Sequence, residues 1–276
     1  MNTLLVTPPL IQMNSPYPAT AYLTGYLRKK GFSVEQKDLS LDLLLRLFSR
    51  EGLTIILREL KNSTKSLSDS AEFFLAAAND YKNAIEPTIR FLQGQDPSLA
   101  VRISERKLLP EGPRFLPLTQ HKELLENFGT LGVQDRAKYL ASLFLDDIAD
   151  VIRTSIDPNF QFSRYGEQLA SSQTSFDSLY ELGRNPHGLM AKIMRNLING
   201  YLEKIKPDLV GFTVPFPGNF LGALWSAKII KELAPRTKIV IGGGFINTEL
   251  RELTDKEYSS FLIILFMTMA NSSLRS

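Results

Sequence analysis

Three short segments of this sequence hold residues that could cradle a ligand. Gly242-Gly243-Gly244 ends an apolar run, Lys238 to Ile241. Glycine at such a place removes side chains, so a ligand can approach the backbone, and it leaves amide N–H groups free to donate. The same triplet also suits a tight turn that lets helix and strand pack closely, and spacing alone does not choose between the two. It is neither a G-x-G-x-x-G fingerprint nor a phosphate loop with a following Lys-Ser/Thr. The second segment is Thr213-Val214-Pro215-Phe216-Pro217-Gly218-Asn219. Two prolines fix its shape, and Asn219 is placed to cap the next helix. Thr213 would offer a hydroxyl beside the glycines, or simply close its strand. The third segment opens with Thr7-Pro8-Pro9 and runs to Tyr17. If the three preceding strands are parallel, these loops share one sheet edge and converge on one crevice.

The elements that must position them follow from patterning. Thr3 to Thr7, Leu209 to Thr213 and Lys238 to Ile241 are short apolar, β-branched runs that stop at Pro or Gly. Runs of that kind read as buried parallel strands, and open α/β sheets hold ligands beyond the carboxyl ends of such strands. Ala19 to Lys30 carries Tyr22, Leu23, Tyr26 and Leu27 at helical spacing and stops at Gly31. Phe32 to Asp38 reads as a second strand, completing a right-handed βαβ unit. Phe220 to Leu233 is a helix with Leu221, Leu224, Trp225 and Ile229 in register. Asn247 could cap a short helix from Thr248 to Leu253, and Phe261 to Phe266 could be a fifth strand.

Between the two halves the pattern turns helical. Leu41 to Phe48, Ala71 to Leu92, Gln134 to Ile156 and Gly188 to Ile205 all show helical periodicity. Pro87 is expected to break or kink the second of these. Leu108 to Leu118, with three prolines, reads as a connector. The fold class expected is α/β: a Rossmann-like, flavodoxin-like parallel sheet of four or five strands with a large all-helical insertion between strands 2 and 3. The domains would be 1–40 with 206–276, and 41–205.

Composition excludes several kinds of chemistry. There is no cysteine, so the chain forms no disulfide and ligates no metal or cluster through sulfur. His121 and His187 are the only histidines; the first reads as solvated, the second as part of the Asn185-Pro186 turn, and no Ser/His/Asp arrangement accompanies either. Asp146, Asp147 and Asp150 read as a solvated helix face, as do Arg28, Lys29 and Lys30. Trp225 reads as core. The net charge of +3 is small and acids and bases are interspersed, which gives no reason to expect a nucleic-acid partner. No apolar run reaches the roughly 20 residues of a membrane span, and the start has no signal-peptide pattern. A cytoplasmic location is the expectation.

Leu5-Val6-Thr7-Pro8-Pro9, Tyr17-Pro18-Ala19-Thr20-Ala21-Tyr22-Leu23 and Gly31-Phe32-Ser33-Val34 resemble the opening of the B12-binding-domain radical SAM proteins. Val210 to Pro215 and Ile241 to Gly244 resemble later strands of the same domain. The resemblance covers residues 1–49 and 206–253. It implies a cobalamin-binding-type domain in which the corrin lies over Thr7, Pro8, Pro9, Thr213, Val214, Pro215, Phe216, Gly242, Gly243 and Gly244. Gly242 and Gly243 match the family's Gly-Gly pair, and Thr213 stands near its serine element. The family's Asp-x-His-x-x-Gly loop has no counterpart, so no lower axial histidine is implied for the loop 7–17. Full-length members follow this domain with a barrel whose CxxxCxxC triad binds a [4Fe–4S] cluster and S-adenosylmethionine. A chain without cysteine cannot form that cluster. The resemblance thus implies a truncated relative, not catalytic alone, of enzymes that perform methyl transfer or rearrangement.

Two other readings stand beside it. One is a Rossmann-type module for a nucleotide or another small molecule, with phosphate at a helix N-terminus. The other is a structural or interaction fragment whose pocket stays empty. The sequence names no substrate and no oligomeric state.

Overall fold

A computed structural model describes residues 1–10, 17–62, 66–120, 132–161, 165–171, 176–248 and 263–264. His121 and most of the segment 249–276 lie outside the described residues, and with them the expected helix after Thr248.

The chain divides into two compact units, Met1–Leu43 with Ser163–Ser276, and Leu44–Phe162. The first contains the sheet. Its strands are β1 (Asn2–Thr7), β2 (Ser33–Asp38), β3 (Leu209–Thr213), β4 (Lys238–Gly242) and the two-residue β5 (Ile263–Ile264). All pairings are parallel, in the order β2-β1-β3-β4-β5. This is the doubly wound flavodoxin-like order, with its switch point between β1 and β3. The helical insertion follows β2 and precedes β3, as the periodicity predicts.

Helix α1 (Ala19–Lys29) connects β1 to β2. It lays Thr20 and Thr24 against the sheet, while Tyr22, Leu23 and Tyr26 stay exposed. Its stop is Gly31, at φ +85°. The insertion begins with α2 (Leu39–Leu47).

The second unit holds α3 (Arg50–Asn62), α4 (Asp69–Ala76), α5 (Ala78–Leu92), α6 (Leu99–Ser104), α7 (Leu116–Gln120) and α8 (Val133–Ser155). Ser68 caps α4, its hydroxyl accepting from the Ala71 N–H. The break expected at Pro87 falls instead at Ala77, and Pro87 lies inside α5. A 3₁₀ turn at Pro113–Phe115 leads into α7, so the proline-rich connector is partly helical. Tyr81, Phe74 and Phe144 form the aromatic centre of this unit, with Tyr81 stacked on Phe144 at 5.3 Å.

The insertion's later helices, α9 (Tyr165–Ser171), α10 (Phe176–Arg184) and α11 (Gly188–Ile205), belong to the unit of the sheet. They pack on α12 (Pro217–Leu233), which connects β3 to β4. Sheet contacts and these three helices leave α12 almost no free face. Its residues from Gly218 to Ala227 are all buried, which explains why Phe220-Leu221-Gly222-Ala223-Leu224-Trp225 is apolar all round. The left-handed Lys206 and Pro207 end α11 and turn the chain into β3.

Candidate site at the sheet rim

The parallel register sets Val6 beside Phe212 and Thr213 beside Gly242, so β1, β3 and β4 end on one rim. The three candidate loops leave from there. They are the ones between which open α/β sheets hold ligands.

The loop after β1 is clasped by its neighbours. Thr7, Pro8 and Pro9 are buried. The Thr7 and Thr20 hydroxyls lie 3.4 Å apart, joining the strand end to α1. The Pro9 carbonyl sits on Gly222 of α12, where a Cβ would come within 2.2 Å of the oxygen. Leu10, at φ 71°, turns the chain back and rests on Gly166 of α9, where a Cβ would lie 2.6 Å from the Leu10 Cβ.

The loops after β3 and β4 are tied to each other. The Val214 N–H donates to the Gly242 carbonyl at 2.7 Å, and the Val214 carbonyl accepts from the Phe245 N–H at 3.1 Å. Gly243 lies between these bonds at φ +120°, and a Cβ there would stand 2.6 Å from Val214 N and O. Its missing side chain thus makes room for Val214, the tight-packing role open for this triplet. Gly244 is different: it is exposed, with nothing nearer to a Cβ than the Pro215 carbonyl at 4.0 Å. Gly242 and Pro215 are half-buried, Thr213 and Val214 buried.

Aromatic rings frame the same rim. Phe216 is 51% exposed and takes the N-cap position of α12 without a side-chain cap bond. Asn219, expected as the cap, is instead the third helical residue and is 1% exposed, its Nδ2 without a hydrogen-bond partner. Tyr17 meets Phe216 edge-on at 6.4 Å and links the entry of α1 to that of α12. Behind them Phe220 and Phe245 lie 5.8 Å apart. Within the sheet unit α13 (Gly244–Thr248) follows, with Asn247 Oδ1 also unpartnered. Asn247 thus lies within a helix rather than capping one.

The segments that leave β1, β3 and β4 carry no fixed charge. Thr7 to Leu27, Thr213 to Ala227 and Gly242 to Thr248 contain no Asp, Glu, Lys, Arg or His. Burial raises the Tyr17 phenol above its ordinary value, so it is neutral at physiological pH. Asp38 ends β2 beside Thr7 and is the carboxylate of this rim; its Oδ1 accepts from the Leu41 N–H at 2.9 Å, and burial raises its carboxyl despite that bond.

Sequence reasoning named the loops and missed two of their supports. Gly222 and Gly166 carry no motif, because the residues they admit, Pro9 and Leu10, are distant in sequence. The expectation of a solvated face at Asp147 is overturned: Asp147 is 1% exposed, in the core of the helical unit. His187 is exposed beside Trp225, ring centroids 5.7 Å apart, with its Nδ1 2.7 Å from the Asn185 carbonyl. Among the described residues no group of three or more His, Cys, Asp or Glu could hold a metal ion, and no helix is long and apolar enough to cross a membrane. Compared with protein-family models, curated proteins and solved structures, the chain finds no match.

Proposed function

We propose that this chain is a small-molecule-binding α/β domain of cobalamin-binding type, its ligand lying across the rim at the switch point between β1 and β3. The observation that carries the reading is the absence of charge from the segments after β1, β3 and β4, with exposed Phe216 and open Gly244 beside buried amide and hydroxyl groups. A surface of that kind suits a broad, flat ring bearing neutral amides. It suits a nucleotide di- or triphosphate poorly, because such ligands are held by cations and free helix-terminal N–H groups. Here Pro217 has no N–H and the Asn219 N–H already donates to the Phe216 carbonyl.

The residues present fit a corrin face. Phe216 and Gly244 would contact the ring, and the Asn219 amide is a buried donor without a partner among the described residues. Pro8, Pro9, Val214 and Gly243 would act at one remove, by fixing the loops. Cobalamin, when bound, supplies methyl-group transfer or cobalt redox chemistry. The chain's own part is to orient the ring and exclude water from one side. The family's S-adenosylmethionine chemistry has no cysteine ligands in this chain and would require a partner that brings them.

Equilibrium dialysis against hydroxocobalamin tests this. Uptake should persist from about 50 to about 500 mM salt, since no exposed ion pair contributes. Gly244→Leu is the informative variant, because its side chain would project into open space on the rim. It should weaken uptake about tenfold, a penalty of about 1.4 kcal/mol, with an unchanged melting temperature. Gly243→Leu would confound folding with binding, as its side chain meets Val214. No uptake, or equal uptake by the wild type and Gly244→Leu, would overturn the reading. Preferential uptake of ADP or FMN would favour the nucleotide module.

A further inference from the structure

We propose that the sheet unit pairs with a second copy of this chain through β2, antiparallel and edge to edge, about a two-fold axis at Gln36. Among the described residues β2 is the last strand of the sheet order and pairs only with β1. An edge strand presents a row of backbone donors and acceptors to another strand. Ser33, Glu35 and Gln36 are exposed.

The side chains of β2 are complementary to their own two-fold image. With Gln36 opposite Gln36 of the second copy, Glu35 falls opposite Lys37, and Lys37 opposite Glu35. Opposite charges directly across an antiparallel pair attract, and a one-residue slip would lose both contacts. The two faces of β2 are also suited to such pairing. The register sets Glu35 beside Leu4 and Lys37 beside Val6, on the face where Lys37 covers the Tyr201 ring of α11 at 5.6 Å. Gln36 and Val34 lie on the other face, with α1: the Arg28 Nε donates to the Val34 carbonyl at 2.9 Å.

That face supplies the apolar area a dimer needs. α1 leaves Tyr22 at 78%, Tyr26 at 60% and, just past its end, Phe32 at 50% exposure. Gly25, between the tyrosines, leaves open space where a Cβ would be. Tyrosine is enriched at the centres of protein interfaces. Before Glu35 the chain has no carboxylate, and Arg28, Lys29 and Lys30 cluster at the end of α1. An antiparallel arrangement sends the two cationic clusters to opposite ends, so they do not repel across the axis.

Sedimentation velocity on the full chain over a concentration series tests the arrangement by charge exchange. The wild type should dimerise. Lys37→Glu sets like charges opposite each other twice and should weaken the dimer about tenfold or more. The double variant Glu35→Lys with Lys37→Glu restores complementarity with the signs exchanged and should restore dimerisation. A monomeric wild type overturns the proposal. So does a dimer indifferent to Lys37→Glu, or a double variant as weak as the single one. Hydroxocobalamin uptake is read at Phe216 and Gly244, outside β2, and does not depend on this outcome.

Discussion

Replacing Trp225 by alanine should cost the sheet unit about 3–5 kcal/mol, read as a lower urea midpoint by circular dichroism. Trp225 is 1% exposed at the centre of α12, and its Nε1–H donates to the Leu182 carbonyl of α10 at 2.8 Å. Alanine would remove the largest side chain of this core and the shorter of the two hydrogen bonds to that carbonyl, leaving it the Asn185 N–H at 3.3 Å. Gly183, next to Leu182, already lets α10 approach α12 so closely that a Cβ would lie 2.4 Å from Leu224 Cδ1. The helices therefore have little room to collapse into the cavity. Trp225→Phe separates the two contributions: it keeps most of the volume and loses only the hydrogen bond, at about 1 kcal/mol. Equal losses from both substitutions would show that the hydrogen bond, not the packing, dominates.

The second large effect is a gain. Asp147→Asn should stabilise the helical unit by about 2–3 kcal/mol at pH 8, and the advantage should vanish near pH 4. The Asp147 Oδ1 accepts from the Arg114 N–H at 2.9 Å, pinning the turn at Pro113–Phe115 to α8. Its Oδ2 has no partner and faces the Cα of Gly112, beside the Tyr81 hydroxyl. Burial raises the carboxyl to about 6, Asp150 adds to the rise, and the N–H groups of Arg114 and Gly112 and the Arg114 guanidinium oppose it. The unfolded chain ionises this group near its ordinary value, so above pH 6 folding must bury a charge. As pH falls through 6 the native state takes up a proton that the unfolded chain does not, and stability rises; below about pH 4 both are protonated. The charged groups that act on it are Asp150 and Arg114, and asparagine leaves the Arg114–Asp150 pair intact. The measurement is the difference in urea midpoint between wild type and variant from pH 4 to pH 8. A constant difference would mean that the carboxyl does not titrate in this range.

The sheet was legible because each of its strands is short, apolar and punctuated. Leu4 to Thr7 and Lys238 to Gly242 stop where Pro and Gly say they should, and their parallel pairing follows from the helices between them. The loops at the rim were legible for the same reason. What stayed hidden depends on contacts between distant residues. Asp147 shows the periodicity of a helix, but its neighbours Asp146 and Asp150 made the face look solvated. Only the approach of Gly112 and Tyr81 buries it. Tyr22 and Tyr26 have core spacing, yet the threonines Thr20 and Thr24 take the sheet side. Small residues fit where α1 crosses close to β1, and no local pattern reports that distance. The glycine triplet was ambiguous by nature, and its members have separate tasks: Gly243 accommodates a backbone, Gly244 stands open.

Gly166 has a consequence for how such a protein can change over generations. It lies well beyond β2 in the chain, yet it presses on Leu10, straight after the first strand. The stretch from 165 to 171 thereby holds the exit of β1 in place, and any side chain gained at 166 would be felt first at Leu10.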